Sequence, residues 1–441
     1  MSFLLHGVHL PHRKNTADME PVRMSAPSKI ILPMSMHIGA PAIPCVKAGD
    51  HVDIGTPVGT PNGYVSSPIY SSVSGTVKKI EDILLSSGKP CPAVIIESDG
   101  LMTPDPNIVP PQVNCYDDFI SAVRQSGVVG LGGAGFPTHV KLDVKDTSRI
   151  QELIINGAEC EPYITSDTRT MIDKAHEIEN AVSVFEKYLG IKKTIIGIEE
   201  NKKKAIAKMQ EISKRDPRVE VKILPSIYPQ GGEKVLVYHT TGKVIPAGKL
   251  PLDVGCIVCN CTTMAAVSNF IKTGMPLVTK CITVEGSAVK EPKNVIVPIG
   301  TPISDVFEFC GGFSEEPHKI LYGGPMMGIS IPDTSLPVLK NTNALLAFGK
   351  KDAVRPRSTQ CIHCGLCVSH CPVNLSPVGI ARAYKSGDAE ALLKLRVDIC
   401  MECGCCSYVC PAKRPLVETN KMSKTLLREY MNAQKAKEGA K

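Results

Sequence analysis

Eight cysteines late in the chain fall into two copies of one spacing, Cys361-x-x-Cys364-x-x-Cys367-x-x-x-Cys371-Pro372 and Cys400-x-x-Cys403-x-x-Cys406-x-x-x-Cys410-Pro411. Thiolates at three-residue steps can wrap one corner of an iron-sulfur cube. The last cysteine of each run, beside a proline that stops the local helix, is thrown across to the neighbouring cluster. The spacing therefore predicts two 4Fe-4S clusters. One takes Cys361, Cys364, Cys367 and Cys410; the other takes Cys400, Cys403, Cys406 and Cys371. Zinc or disulfides are the alternative use of CxxC pairs, but a tetrahedral zinc ion leaves no role for a third evenly spaced cysteine in each run. His363 and His370 are surplus to the ligand sets and are expected as exposed loop residues or donors around the cluster. Cys256, Cys259 and Cys261 form a compact group with no further ligand placed by sequence, so they are expected in the core or beside a cofactor.

The second candidate is Gly130-Leu131-Gly132-Gly133-Ala134-Gly135. It matches GxGxxG, but a Rossmann fingerprint follows a strand and opens a helix, whereas this loop follows a helical pattern and runs into Phe136-Pro137. So many glycines cost conformational entropy unless the backbone must approach something closely. A phosphate cradled by backbone N–H groups is the usual reason, and a tight turn between packed elements is the plain alternative.

These residues must be positioned by several domains, because 441 residues exceed one hydrophobic core. No stretch is apolar for long enough to cross a bilayer and no signal-peptide pattern opens the chain, so a soluble, unexported polypeptide is expected. Eighteen cysteines, eight of them placed as cluster ligands, suit a reducing cytoplasm. The net charge of +7 is modest and partly local, in a tail carrying Lys421, Lys424, Arg428, Lys435, Lys437 and Lys441. The tail reads as a solvated amphipathic helix, with contact to a membrane surface or an acidic partner as the sharper alternative. Nucleic acid is not indicated, since Trp is absent and no aromatic-basic stacking surface accompanies the charge.

Short β-type runs with Gly and Pro turns from Ile30 to about Glu97 predict an all-β module, similar in phrasing to biotinyl and lipoyl carrier domains but without the modified lysine, hence structural. Beyond the proline-rich stretch from Pro104 to Pro111 the texture becomes α/β. Helices are expected over 117–123, 167–189 and 202–214, with strands at 152–155 and 193–198, implying a parallel sheet. A β-grasp-like pattern follows, with strands at 282–286 and 295–300. The stretch from Pro377 to Val397 has helical spacing. The expected fold class is multidomain α/β: an N-terminal arm (1–29), a barrel-sandwich β module (30–108), an α/β domain (109–275), a β-grasp-like module (276–335), a linker (336–355), a mostly helical two-cluster ferredoxin-like domain (356–420) and a basic C-terminal helix (421–441).

The glycine loop through Lys141 resembles the flavin loop of the NADH-oxidising flavoprotein subunit of respiratory complex I. Three further phrases occur in that family's order: Asn156-Gly157-Ala158-Glu159-Cys160-Glu161-Pro162, Tyr228-Pro229-Gln230-Gly231-Gly232-Glu233 and Asn260-Cys261-Thr262-Thr263. The resemblance implies non-covalent FMN on Gly130, Gly132, Gly133, Gly135 and Lys141, with Asn156, Glu159, Asn260 and Thr263 at the flavin. By the same resemblance Phe136, Glu161, Tyr228 and Glu233 would line the pocket for NADH as substrate. Departures stand at Leu131, Ala158 and Gly232, where the complex I pattern has arginine, an acid and glutamate.

With Gly7-Val8-His9, the β module, Gly323-Gly324-Pro325-Met326-Met327-Gly328 and the cysteine runs, nearly the whole chain resembles the RnfC family. These are peripheral subunits of membrane-bound Rnf complexes, which exchange electrons between NADH and ferredoxin coupled to ion translocation. The resemblance implies an NADH-dependent oxidoreductase subunit in which a flavin turns a hydride into single electrons for the clusters. It also implies a peripheral place on the cytoplasmic face of the cell membrane. Its partners would be membrane-embedded subunits, among them an iron-sulfur subunit, with ferredoxin served indirectly. Alternatives are a flavin and iron-sulfur cobalamin reductase and an electron-wiring scaffold without an active flavin site.

Overall fold

The computed structural model describes residues 6–86 and 88–439; Lys441 of the basic tail and residues 1–5 of the arm lie outside them. Two small antiparallel sheets build the N-terminal β module. One runs Lys29–Pro33, Pro90–Ser98, Gly75–Leu84, His51–Val52, and the other Ile43–Pro44, Pro57–Thr60, Ile69–Tyr70. Alternation puts Ile30, Leu32, Val58, Ile69, Val77 and Ile96 inside, all fully buried, as period-2 side-chain placement requires.

The α/β unit is a fully parallel sheet in the order Val219–Leu224, Lys193–Glu199, Glu152–Gly157, Cys256–Asn260. Its inner strands read as near-continuous apolar runs because helices cover both faces, whereas the edge strand Val219–Leu224 carries Glu220 and Lys222. Successive connections step one way from Glu152–Gly157 and then return to its other side. The switch point of the sheet therefore lies between Glu152–Gly157 and Cys256–Asn260, the place where open α/β sheets bind ligands. The helix expected over 167–189 is two helices, Ser166–Asp173 and Ala175–Leu189, broken at Lys174. The first is buried from Ser166 to Met171 and is tied at its start to the neighbouring β module through Thr283 and Asn343. Tertiary partners set its axis.

The second β module is a six-stranded sheet in the order Val22–Arg23, Lys293–Pro298, Thr279–Glu285, Ala344–Phe348, Lys319–Tyr322, Ile329–Ile331. Two expectations change here. The N-terminal arm contributes an edge strand, Val22–Arg23. The stretch 336–355 is not a linker: Ala344–Phe348 is an interior strand with every residue buried, the form that a short continuous apolar run takes when both faces are covered.

Short helices carry the cysteine runs, with Pro377–Lys385 and Ala389–Lys394 between them. The last helix, Leu416–Gly439, begins inside the expected cluster domain, so the boundary at 420 cuts through it. Leu427 is buried with Ile380, Leu392 and Val397, and Lys424 Nζ donates to the Cys400 carbonyl at 3.1 Å and to Glu402 at 2.6 Å. The first half of the basic tail is thus docked on the cluster unit. Among the described residues no helix is long and apolar enough to cross a membrane.

Candidate functional site

At the switch point Asn156 and Asn260 are paired across the ends of adjacent parallel strands. Asn260 N-caps the helix Cys261–Thr273, its Oδ1 accepting from the Thr262 and Thr263 amides at 3.0 and 3.2 Å. Its Nδ2 donates to Asp167 at 2.6 Å. The glycine loop lies directly over it, and a Cβ on Gly132 would stand 2.9 Å from Asn260 Nδ2. Thr263 Oγ1 accepts from the Leu131 amide at 3.0 Å, and the buried Lys280 ammonium donates to the Leu131 carbonyl at 2.6 Å. Gly133 and Gly135 take φ values of +115° and +67°, where a side chain would be strained. Among the described residues the amides of Gly132, Gly133 and Ala134 have no protein acceptor, and all three residues are exposed.

Lys141 and Glu233 meet here. Lys141 Nζ is 3.0 Å from Glu233 Oε1 and donates to the Val258 carbonyl at 3.0 Å. Burial by itself would lower the Lys141 ammonium, but the Glu233 carboxylate and Cys259 outweigh it and hold it above the ordinary lysine value. Asn156 Nδ2 donates to the Gly231 carbonyl at 2.9 Å, joining the strand end to the segment before Glu233.

Glu159 takes a left-handed backbone, φ +45°. Its carboxylate accepts from the Asp167 and Thr168 amides at 2.6 and 3.2 Å, so it caps the buried helix Ser166–Asp173. Burial pushes its carboxyl upward, against the nearby Lys14 charge. Lys14 was not legible as a site residue. Its ammonium donates to the carbonyls of Glu159, Glu161 and Ile164 at 2.8, 2.8 and 2.5 Å, and the 159–164 turn is wound around it. Burial, with Lys202 adding to it, lowers Lys14 to about 8.

The residues expected around nicotinamide are spread over two surroundings. Phe136 closes the glycine loop by accepting from the Gly130 amide at 2.8 Å. Glu161 accepts from the Met326 and Met327 amides at 3.0 and 2.7 Å, which ties it to the Gly323–Gly328 loop. Tyr228 is buried, and its hydroxyl donates to the Cys403 carbonyl at 2.7 Å. Sequence reasoning also missed Asn341 and Asn343, which leave the supposed linker and reach the glycine loop. Asn341 Nδ2 donates to the Gly133 carbonyl at 2.9 Å, and Asn343 sits between Gly133 and Gly323. The only signal was a pair of polar residues just ahead of a buried strand.

In the cluster unit, Cys371 lines one cavity with Cys400, Cys403, Cys406 and the non-ligand Cys405. Cys410 packs with Cys367, which has Cys361 as its other sulfur neighbour. The packing thus places Cys371 beside the cysteines of the second run, and Cys410 beside both Cys367 and Cys406. Sulfurs receive donors from this chain: Asn420 Nδ2 to Cys400 at 3.5 Å, the Leu375 amide to Cys371 at 3.3 Å and the His363 amide to Cys361 at 3.4 Å. The second run is the buried one and packs on Val8, Tyr228, Cys160 and Met326. The first is outermost, with Cys364 exposed. Cys256, Cys259 and Cys261 are all buried, and among the described residues no three His, Cys, Asp or Glu side chains converge on a single-ion position.

Family models match along the chain in this order: the RnfC barrel sandwich hybrid domain at 3–101, the Nuo51 FMN-binding domain at 123–269, the SLBB domain at 281–330 and the 4Fe-4S dicluster domain at 357–413. The RnfC component of the Na(+)-translocating ferredoxin:NAD(+) oxidoreductase complex of Acetobacterium woodii is 42% identical over 85% of this chain and 86% of its own length. The chain belongs to the RnfC family. The corresponding component of the proton-translocating complex of Clostridium ljungdahlii is 39% identical over 84% and 82%, and that of the ion-translocating oxidoreductase complex of Rhodobacter capsulatus 37% over 96% and 83%. Among solved structures, an NAD+-reducing [NiFe]-hydrogenase in the air-oxidized state shares the fold at a TM-score of 0.50 and 17% identity, over 70% of this chain and 60% of that one.

As an oxidoreductase subunit of this family, the chain has an FMN-binding domain and a 4Fe-4S dicluster domain. The residues present fit both groups. The unpaired amides of Gly132, Gly133 and Ala134, with no Cβ on the two glycines, suit an anionic phosphate. A cavity ringed by four ligand-type cysteines, with the Asn420 Nδ2 donor 3.5 Å from Cys400 at its wall, suits a cluster. The departures have structural counterparts. Leu131 is a fully buried core side chain, Ala158 is buried at the strand end, and at Gly232 a Cβ would overlap the terminal methyl of Met401 from the second cysteine run.

Proposed function

We propose that the chain is the NADH-oxidising electron-input subunit of a membrane-bound ion-translocating complex, sited peripherally on the cytoplasmic face. The observation that carries this is the docking of the second cysteine run on the flavin-type unit through Tyr228–Cys403 and Met401 against Gly232. FMN accepts a hydride as an electron pair and releases electrons singly, which iron-sulfur clusters can take and pass on. The rest is positioning by this chain. Gly130, Gly132, Gly133 and Gly135 hold the phosphate side. Asn156, Glu159, Asn260 and Thr263 would hold the flavin, fixing the strand ends directly or by capping the helices that begin there. Lys141 is the cation on the phosphate side, and Phe136 and Glu233 border the pocket for the dinucleotide.

Cys400, Cys403, Cys406 and Cys371 would hold the inner cluster, and Cys361, Cys364, Cys367 and Cys410 the outer one, so inlet and outlet lie at opposite ends of the cysteine unit. An iron-sulfur subunit next to the outlet and ferredoxin further on complete the reading. The test is to reconstitute the full chain with FMN and clusters without oxygen and add NADH. Bleaching of the flavin band followed by cluster reduction is expected. Flavin-loaded protein that bleaches with neither NADH nor NADPH overturns the dehydrogenase role and leaves a wiring scaffold.

A further inference from the structure

The outer cysteine run presents a surface that, among the described residues, no other element covers. Ile362 is 65% exposed, and Leu366 and Val368 are exposed beside it. Exposed apolar side chains interleaved with part-exposed ligand-type cysteines have the composition of an interface core. The segment that carries it is one-signed between Asp352 and Asp388. From Val354 to Gly387 the sequence carries Arg355, Arg357, Arg382 and Lys385 but no Asp or Glu, and all four cations are exposed. Arg382 Nη2 lies 3.3 Å from His363 Nδ1, next to Cys364. The Thr359 amide bonds the Ala412 carbonyl at 2.9 Å, which brings exposed Lys413 to the same edge.

We propose that this face is the docking surface of an acidic iron-sulfur protein that exchanges one electron with the outer cluster. The proposal rests on the reading of the chain as an electron-input subunit and names the partner's chemistry. One electron passes, one centre is oxidised and the other reduced, and no bond or proton moves. Electron transfer decays steeply with distance, so a partner must seat against Cys364. A basic segment carrying an apolar group selects an acidic protein and steers its approach. A phospholipid surface would meet the same charges, but the apolar residues here are interleaved with ligand-type cysteines and do not form the stripe of an interfacial helix.

The test uses the full chain with FMN and oxidised clusters, mixed anaerobically with either a reduced acidic ferredoxin, as a probe of the same chemistry as the iron-sulfur partner, or the methyl viologen radical cation. With ferredoxin the second-order rate is expected to fall at least about tenfold between about 50 and 500 mM salt. It should fall by a similar factor in R357E/R382E at low salt. Reduction by the viologen cation should not slow, and iron content and flavin bleaching by NADH should match the unaltered chain. Equal rates with ferredoxin, or equal loss with both donors, overturns the proposal. So does arginine-dependent binding to phosphatidylglycerol vesicles with unaltered ferredoxin rates, which assigns the face to lipid. If ferredoxin behaves as expected but NADH bleaches nothing, the docking face stands and the dehydrogenase role falls.

Discussion

The hydroxyl of Tyr228 donates to the carbonyl of Cys403 at 2.7 Å, and both residues are buried. One hydrogen bond thus ties the flavin-type unit to the second cysteine run, with Val8 of the N-terminal arm paired to Tyr228 on the other side. Replacing Tyr228 with Phe leaves the Cys403 carbonyl without its donor, at a cost of about 1–3 kcal/mol. We expect a lower thermal midpoint and a severalfold slower flavin-to-cluster phase in stopped-flow absorbance. An unchanged midpoint and an unchanged second phase would rule out this linkage.

Cys371 belongs by sequence to the first run and by packing to the cavity of the second. Cys371→Ser should lose the cluster held by Cys400, Cys403 and Cys406, removing about half of the iron. Adding Cys400→Ser to that variant should remove no more, whereas adding Cys361→Ser should remove the remainder. The reverse pattern in iron analysis and electron paramagnetic resonance would assign each run its own fourth cysteine.

Asn341 holds the glycine loop by donating to the Gly133 carbonyl from outside the matched FMN-binding region. Asn341→Ala frees the loop, and FMN affinity should weaken about fivefold to tenfold, the worth of one hydrogen bond. Equilibrium dialysis of FMN, alongside an unchanged circular dichroism spectrum, measures it. Unaltered affinity would mean that the loop keeps its shape unaided.

Lys340 is 1% exposed, donates to the carbonyls of Pro68 and Gly127 at 2.5 and 2.8 Å, and is lowered by burial to about 7. In the unfolded chain it keeps its proton to about 10.4. Between these values the unfolded state binds more protons than the native one, so stability attributable to Lys340 rises with pH by up to about 1.4 kcal/mol per unit. Lys340→Met should abolish that part of the slope. Urea midpoints of both proteins at about pH 7.5, 8.5 and 9.5 read the difference, and parallel slopes would count against it.

Much of this was legible in the linear chain wherever the chemistry is local. The cysteine spacing and the glycine loop each lie within one run, so residue type and interval are enough to read them. The apolar run at 344–348 reads as linker because five apolar residues without periodicity carry no sign of their partners. Lys14 was illegible for a stronger reason: its three acceptors lie 145 to 150 residues away. Asn341 and Asn343 are ordinary polar residues until the second β module folds back over the glycine loop.

By itself, the sequence determined which groups this protein can hold, because ligand type and spacing are properties of the covalent chain. Only the tertiary structure decided how the segments that would hold them pack together. The second run is inner because Tyr228, Met401 and Val8 pack it on the flavin-type unit, and the first is outer because, among the described residues, nothing apolar covers Ile362 and Cys364. Burial and adjacency are set by contacts between segments distant along the chain, and no local interval encodes them.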